Sequence, residues 1–171
     1  MKNDKLFRLV LAAVFAALSC VATLVIQIPI PATNGYINLG DGAVLLGAFL
    51  LGPLYGAAAG GLGSALADLI LGYAVYAPGT FIIKALMALC AAWILRAMKK
   101  KPLAGSIAGG VVGELVMVLG YFAYESTLLG YGLAAAASIP ANAMQGAAGF
   151  VVSVVVYQAL RAIPLVKRLA D

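Results

Sequence analysis

The chain has 171 residues, of which 64% are hydrophobic and 10% charged, with a formal net charge of +5 and no histidine. Ordinary soluble domains carry about 25% charged residues, so this composition cannot cover a water-soluble fold with polar surface. The lack of histidine excludes histidine-based metal sites and histidine acid–base catalysis.

What remains is a membrane protein, and the length leaves room for several crossings at about 20 residues each. The first apolar run, Leu6–Ile28, is too long for the core of a cleaved signal and lacks a small-residue cleavage site, so it reads as a first span over 6–28. Within it, Ala12/Ala16 and Ala13/Ala17 make two overlapping small-xxx-small pairs, and Ser19, Cys20 and Thr23 continue the small face. Such faces let helix backbones approach closely in lipid. They serve packing inside the bundle or docking on a partner membrane subunit. Residues 29–39 contain Pro29, Pro31, Asn34 and Gly35 and cannot be helical throughout. They read as a loop able to gate a site.

The next apolar run, Leu39–Gly72, is too long for one helix, and Gly52-Pro53 marks a break inside it. The break gives spans over 40–51 and 53–72. The first of these would be about 18 Å long as a helix, against a hydrocarbon core of about 30 Å. It must be tilted or shielded by its neighbours. Further spans follow over 78–98, 103–125 and 134–160. The expected architecture is all-α: one polytopic membrane domain, a bundle of six transmembrane helices. The thiols Cys20 and Cys90 fall inside apolar runs and are expected to be buried and without redox consequence.

The basic residues cluster at span ends. Lys2, Lys5 and Arg8 precede the first span, Arg96 and Lys99–Lys101 follow the fourth, and Arg161, Lys167 and Arg168 close the chain. This is the pattern of the positive-inside rule, and it puts both termini in the cytoplasm. It also accounts for the positive charge without a nucleic-acid partner.

The charges inside the spans are Asp41, Asp68, Lys84, Glu114 and Glu125. Each costs about 2.5–3.5 kcal/mol near a helix centre on insertion scales, which makes function the default reading. With the termini inside, these groups fall in the outer half of the bundle. Glu114, Tyr121 and Glu125 recur at i, i+7 and i+11; Gly61, Ser64, Asp68 and Gly72 share a face; Thr80 and Lys84 are one turn apart; Asn142, Gln145, Gly149 and Ser153 form another stripe. Tyr36, Tyr73, Tyr76, Tyr121, Tyr124 and Tyr131 lie near the same level. Taken singly, the tyrosines also fit an aromatic belt, Asp68 with Lys84 also fits a structural ion pair, and Asp41 and Glu125 also fit solvated interface positions. An outward-facing pocket accounts for all of them together. Its candidate contacts are Asn38, Asp41, Asp68, Lys84, Glu114, Tyr121, Glu125, Asn142 and Gln145, a set suited to a small, planar, polar, uncharged or weakly basic molecule.

No G-x-x-x-x-G-K-[ST] motif, nucleophile–base set or metal-ligand spacing is present, so no ATP site of the P-loop kind, enzyme activity, metal or cofactor is expected. Gly60-Gly61-Leu62-Gly63 lies inside a span and fits helix packing. No inverted repeat of the secondary-transporter kind stands out. A binding protein without a motor needs a partner. The alternative is a solitary proton-coupled transporter using Asp68 and Glu114 as proton carriers.

The chain resembles the substrate-binding S components of energy-coupling factor (ECF) vitamin transporters over nearly its whole length. The resemblance rests on Gly35-Tyr36-Ile37-Asn38-Leu39-Gly40-Asp41, Leu51-Gly52-Pro53, Gly60 through Leu69, Tyr76-Ala77-Pro78, Thr80 through Lys84, and Pro140-Ala141-Asn142 with Gln145. The Ala12/Ala16 and Ala13/Ala17 pairs match the family's docking motif. The resemblance implies a six-helix bundle in a prokaryotic plasma membrane. It implies a loop that gates an outside-facing vitamin pocket, and docking of the first helix on a transmembrane coupling subunit that carries two ATPases. It also implies that the whole subunit topples in the membrane to deliver its vitamin. Within the family the pattern is nearest the hydroxymethylpyrimidine or pyridoxine-type members.

Overall fold

The structure is a computed structural model that describes residues 2–163. Lys167 and Arg168, counted above among the terminal basic residues, lie outside the described residues, as does the side chain of Lys2. Among the described residues there are six α-helices: α1 (Lys2–Val25), α2 (Gly40–Leu51), α3 (Pro53–Leu71), α4 (Ala77–Ala97), α5 (Pro102–Ala123) and α6 (Ile139–Leu160). Five helical segments are long and apolar enough to cross a membrane, and α2 is the shorter apolar helix.

The loop expected over 29–39 forms, together with Gln27 and Ile28, an antiparallel hairpin in an otherwise helical fold. Strand β1 (Gln27–Ile30) pairs with β2 (Gly35–Asn38), joining Gln27 to Asn38 and Ile30 to Gly35. Pro29 has no N–H to donate, so a two-stranded ribbon with a free edge is the sheet that tolerates it.

Helix α2 is the centre of the bundle. All of its residues except Leu46 are buried, and it packs against each of the other five helices. An apolar surface all round a helix belongs in an interior, and surrounding helices spare its short backbone contact with lipid. The packing is close because small residues meet. A side chain on Gly56 would come within 2.6 Å of the Ala48 backbone, and one on Gly109 within 2.5 Å of the Ala91 carbonyl. In lipid, where burial supplies no drive between helices, such van der Waals fit carries the association. Between α2 and α3 the chain turns at Gly52, whose φ of 83° suits glycine, and Pro53 opens α3.

Helix α1 runs antiparallel to α2, with Phe15 against Gly47 and Thr23 against Gly40. The start of α1 therefore lies at the end of the bundle that holds Gly52, Arg96, Lys99, Pro102 and Arg161. The hairpin, Gly72 and the α5–α6 connection lie at the opposite end. Helix α5 does not stop cleanly at Ala123. It runs on into a π-turn, Tyr124–Leu128, and α6 is preceded by a 3₁₀ segment, Gly132–Ser138.

Candidate functional site

At the hairpin end, six elements enclose a polar cavity, α1 reaching it through Thr23. The hairpin contributes Tyr36 and Asn38, α3 contributes Ser64 and Asp68, and α4 contributes Thr80 and Lys84. Tyr121 and Glu125 come from α5 and its π-turn, and Asn142 and Gln145 from α6. The cavity is nearly filled by these side chains, leaving about 20 Å³ of free space, little more than one water requires.

Lys84 and Asp41 form a buried salt bridge at its floor. The alternative of a structural ion pair between Asp68 and Lys84 does not hold, since α2 brings Asp41 to the ammonium instead. The other Asp41 oxygen, Oδ2, accepts a hydrogen bond from Gln145 Nε2 at 2.7 Å, and Gln145 Oε1 accepts from the Asn38 backbone N–H at 2.7 Å. The Asn38 side chain then accepts from the Gly40 N–H at 2.7 Å, tying β2 to the start of α2. One polar chain thus runs from α4 through α2 and α6 into the hairpin. Buried charges need such partners, because desolvation is otherwise uncompensated.

Asp68 takes a different partner. The Tyr36 hydroxyl donates to its Oδ1 at 2.5 Å, while Asp68 Oδ2 and Ser64 Oγ, one helical turn apart, accept no hydrogen bond. Burial raises the Tyr36 hydroxyl above its ordinary pKa, and the charge of Asp68 adds to the shift. The phenol therefore stays a donor to that carboxylate. The Lys84 ammonium also lies 5.5 Å from the centre of the Tyr121 ring, within cation–π range.

Glu125 closes the far side. Its Oε2 accepts from the Ser138 hydroxyl at 2.5 Å, and the Tyr76 hydroxyl lies 3.2 Å from its Oε1. Tyr76 donates to the Thr33 carbonyl at 2.7 Å and so fastens the hairpin turn to α4. The rings of Tyr36, Tyr73, Tyr76 and Tyr124 follow one another at 4.6, 6.4 and 6.2 Å across the mouth. Neither Asp41 nor Glu125 is a solvated interface group, since both are buried.

Of the nine candidate contacts, Asn38, Asp68, Lys84, Tyr121, Glu125, Asn142 and Gln145 line the cavity, and Asp41 stands behind Lys84. Glu114 does not reach it. Its carboxyl lies against Gly146 and Gly149, where a side chain on Gly149 would meet both Asp41 and Glu114, and it accepts no hydrogen bond. It lines a groove between α5 and α6 instead. Tyr36, Tyr76, Thr80 and Ser64 line the cavity although the candidate set omitted them. Their signals were present as polar stripes and as tyrosines at one level.

The alanine pairs separate. Ala12 is buried in the core and Ala16 faces Gly63 of α3, whereas Ala13 and Ala17 are exposed on the outer face of α1. Cys20 is buried and Cys90 half-buried, and neither forms a disulfide.

This fold is shared with solved S components of ECF transporters. The S component for biotin from an ECF-type ABC transporter superposes with a TM-score of 0.77 over 100% of this chain and 99% of its own, at 17% identity. The S component of a bacterial ECF transporter superposes with a TM-score of 0.69 over 95% and 98%, at 24% identity. The sequence profile described as ECF-type riboflavin transporter, S component, matches residues 3–162, and the chain belongs to that family. An uncharacterized protein from Pyrococcus woesei is 42% identical over 116 residues, 68% of this chain and 76% of the relative. The chain is a membrane-embedded transporter subunit, and its family and structural neighbours are not enzymes.

Proposed function

We propose that this subunit binds a small aromatic water-soluble vitamin or precursor, of the pyridoxine or hydroxymethylpyrimidine class, in the cavity beneath the hairpin. The observation that carries the reading is the pair of buried acceptors, Asp68 Oδ2 and Ser64 Oγ, which stand in the cavity wall without a partner. Buried polar atoms are almost always satisfied, so these two suit the donors of a ligand. Phenol rings offer stacking faces, and Asn142 and Gln145 offer amides. Binding sites for small molecules have volumes of about 300 Å³ or more, against about 20 Å³ here. The hairpin must therefore shift to admit any vitamin, and a single ring asks less of it than the three fused rings of a flavin.

The site faces outward, with both termini in the cytoplasm, because Arg8, Arg96, Lys99–Lys101 and Arg161 gather at the other end. All six helices, α2 included, count as crossings in this reading. Import is driven by a coupling subunit with two ATPases, as in other S components, and the protein resides in a prokaryotic plasma membrane.

Calorimetry on the purified protein tests the reading with pyridoxine, hydroxymethylpyrimidine, thiamine and riboflavin. A single-ring vitamer is expected to bind below about 10 μM, a free energy near −7 kcal/mol, and Asp68→Asn to weaken it. Riboflavin alone binding at that level would move the substrate to the flavin in the family's name. No binding by any of the four would remove the vitamin reading. Uptake in vesicles that lack ATPases but carry a pH gradient would instead favour the solitary proton-coupled transporter with Asp68 and Glu114.

A further inference from the structure

A second cavity lies at the basic end of the bundle, away from the hairpin. It holds about 700 Å³, far more free space than the outer cavity, and opens between the ends of α2, α4, α5 and α6. Its apolar wall is made by Phe49, Ala92 and Leu95, with Tyr157 beside them. Its polar wall carries Arg96, Lys99 and Arg161, and no carboxylate of the described residues lines it.

The three cations have no acidic partner among the described residues. Arg96 lies across the Gly52 turn, where its guanidinium occupies the space a side chain would take. Arg161 donates to Gln158 Oε1 at 2.9 Å, and Gln158 in turn donates to Ser106 Oγ of α5 at 2.9 Å. A neutral relay therefore holds the guanidinium in place without cancelling its charge. Pro102 brings the start of α5 to the rim, and no side chain caps that helix end. Uncapped N–H groups at a helix start favour an anion.

Topology alone explains basic residues at this end. It does not explain why three of them ring a cavity with an apolar wall. We propose that the cavity binds the phosphodiester headgroup of an anionic membrane lipid, with an acyl chain lying along Phe49 and Leu95. Basic pockets between membrane helices suit such headgroups, and each cation near the surface adds attraction. A soluble anion would use the cations and leave the apolar wall unmatched.

Native mass spectrometry of the intact protein in neutral detergent tests the site. Phosphatidylglycerol, phosphatidylcholine of the same acyl chains, and glycerol phosphate are titrated separately. Phosphatidylglycerol is expected to bind roughly tenfold more tightly than phosphatidylcholine. Arg96→Gln with Arg161→Gln should abolish that preference, and Lys100→Gln, outside the lining, should keep it. Lys99→Gln, at an exposed position, should reduce the preference and guards against misfolding of the double variant. Equal binding of the two lipids overturns the proposal, as does a preference that survives in a folded double variant. Glycerol phosphate binding as tightly as phosphatidylglycerol overturns it in favour of a soluble anion.

Discussion

Among the described residues Lys84 is the largest fully buried side chain, and the carboxylate in salt-bridge contact with it is Asp41. Breaking a buried pair strands one charge and costs about 3–5 kcal/mol, whereas replacing both partners with apolar residues is often neutral. Lys84→Met is therefore expected to lower thermal stability in detergent sharply, and Lys84→Met with Asp41→Leu to regain most of it. If the double variant melts no higher than the single one, the pair is not what the stability rests on. Ligand binding should fail in both, because Lys84 lines the cavity and is lost in each, and in the double variant Gln145 also loses the carboxylate that orients its amide toward Asn38. At this same scale, Glu114 marks a limit of stripe reasoning. Seven residues bring Glu114 and Tyr121 to nearly one face of α5 but leave them about 10 Å apart along its axis. Periodicity reports the face and not the depth, so the deeper residue of the stripe falls below the cavity floor.

At the scale of elements, the hairpin is the movable part of the site. It is held by the Tyr76 hydroxyl on Thr33 and by Gln145 on the Asn38 N–H. Removing one hydrogen bond costs about 0.5–1.5 kcal/mol. Tyr76→Phe should therefore speed ligand release by about threefold to tenfold in stopped-flow measurements, with a smaller change in association. An unchanged release rate would mean that the hairpin is not the gate. The hairpin was hidden in the sequence because Pro29 and Pro31 read as loop, and two four-residue strands give too short an alternation to register. The Gly52-Pro53 break, by contrast, was legible, since glycine before proline is a local signal that needs no tertiary context. The π-turn at Tyr124–Leu128 was not legible; it adds a residue to the turn, and hydropathy cannot count it. The two alanine pairs also needed the structure, because adjacent overlapping pairs differ only by one helical step. Ala13→Trp with Ala17→Trp, on the outer face, should leave ligand binding intact and reduce uptake in cells at least tenfold if that face meets the coupling subunit. Ala16→Trp, against Gly63, should destabilise the bundle itself. Equal loss of binding in both would assign the whole face to internal packing.

For the whole molecule, orientation decides what the site is for. Six alternating helices put both ends of the described chain on one side, with Arg8, Arg96, Lys99 and Arg161, and put the hairpin and Glu125 on the other. In the proposed orientation the cavity on the far side from the basic residues would collect solute from outside the cell, and the same cavity inverted would open to the cytoplasm and could not scavenge. Thr127 and Lys100 are exposed at the two ends and suit a direct test. In a Cys20→Ala, Cys90→Ala background, Thr127→Cys should react with a membrane-impermeant maleimide added to whole cells. Lys100→Cys should react only once the membrane is opened. The reverse pattern would place the termini outside and turn the binding site inward. Labelling of both positions from one side would take α5, the one helix between them, out of the set of crossings, and the six-span reading would fail with it, because the basic clusters that flank α5 and α6 would no longer share a side.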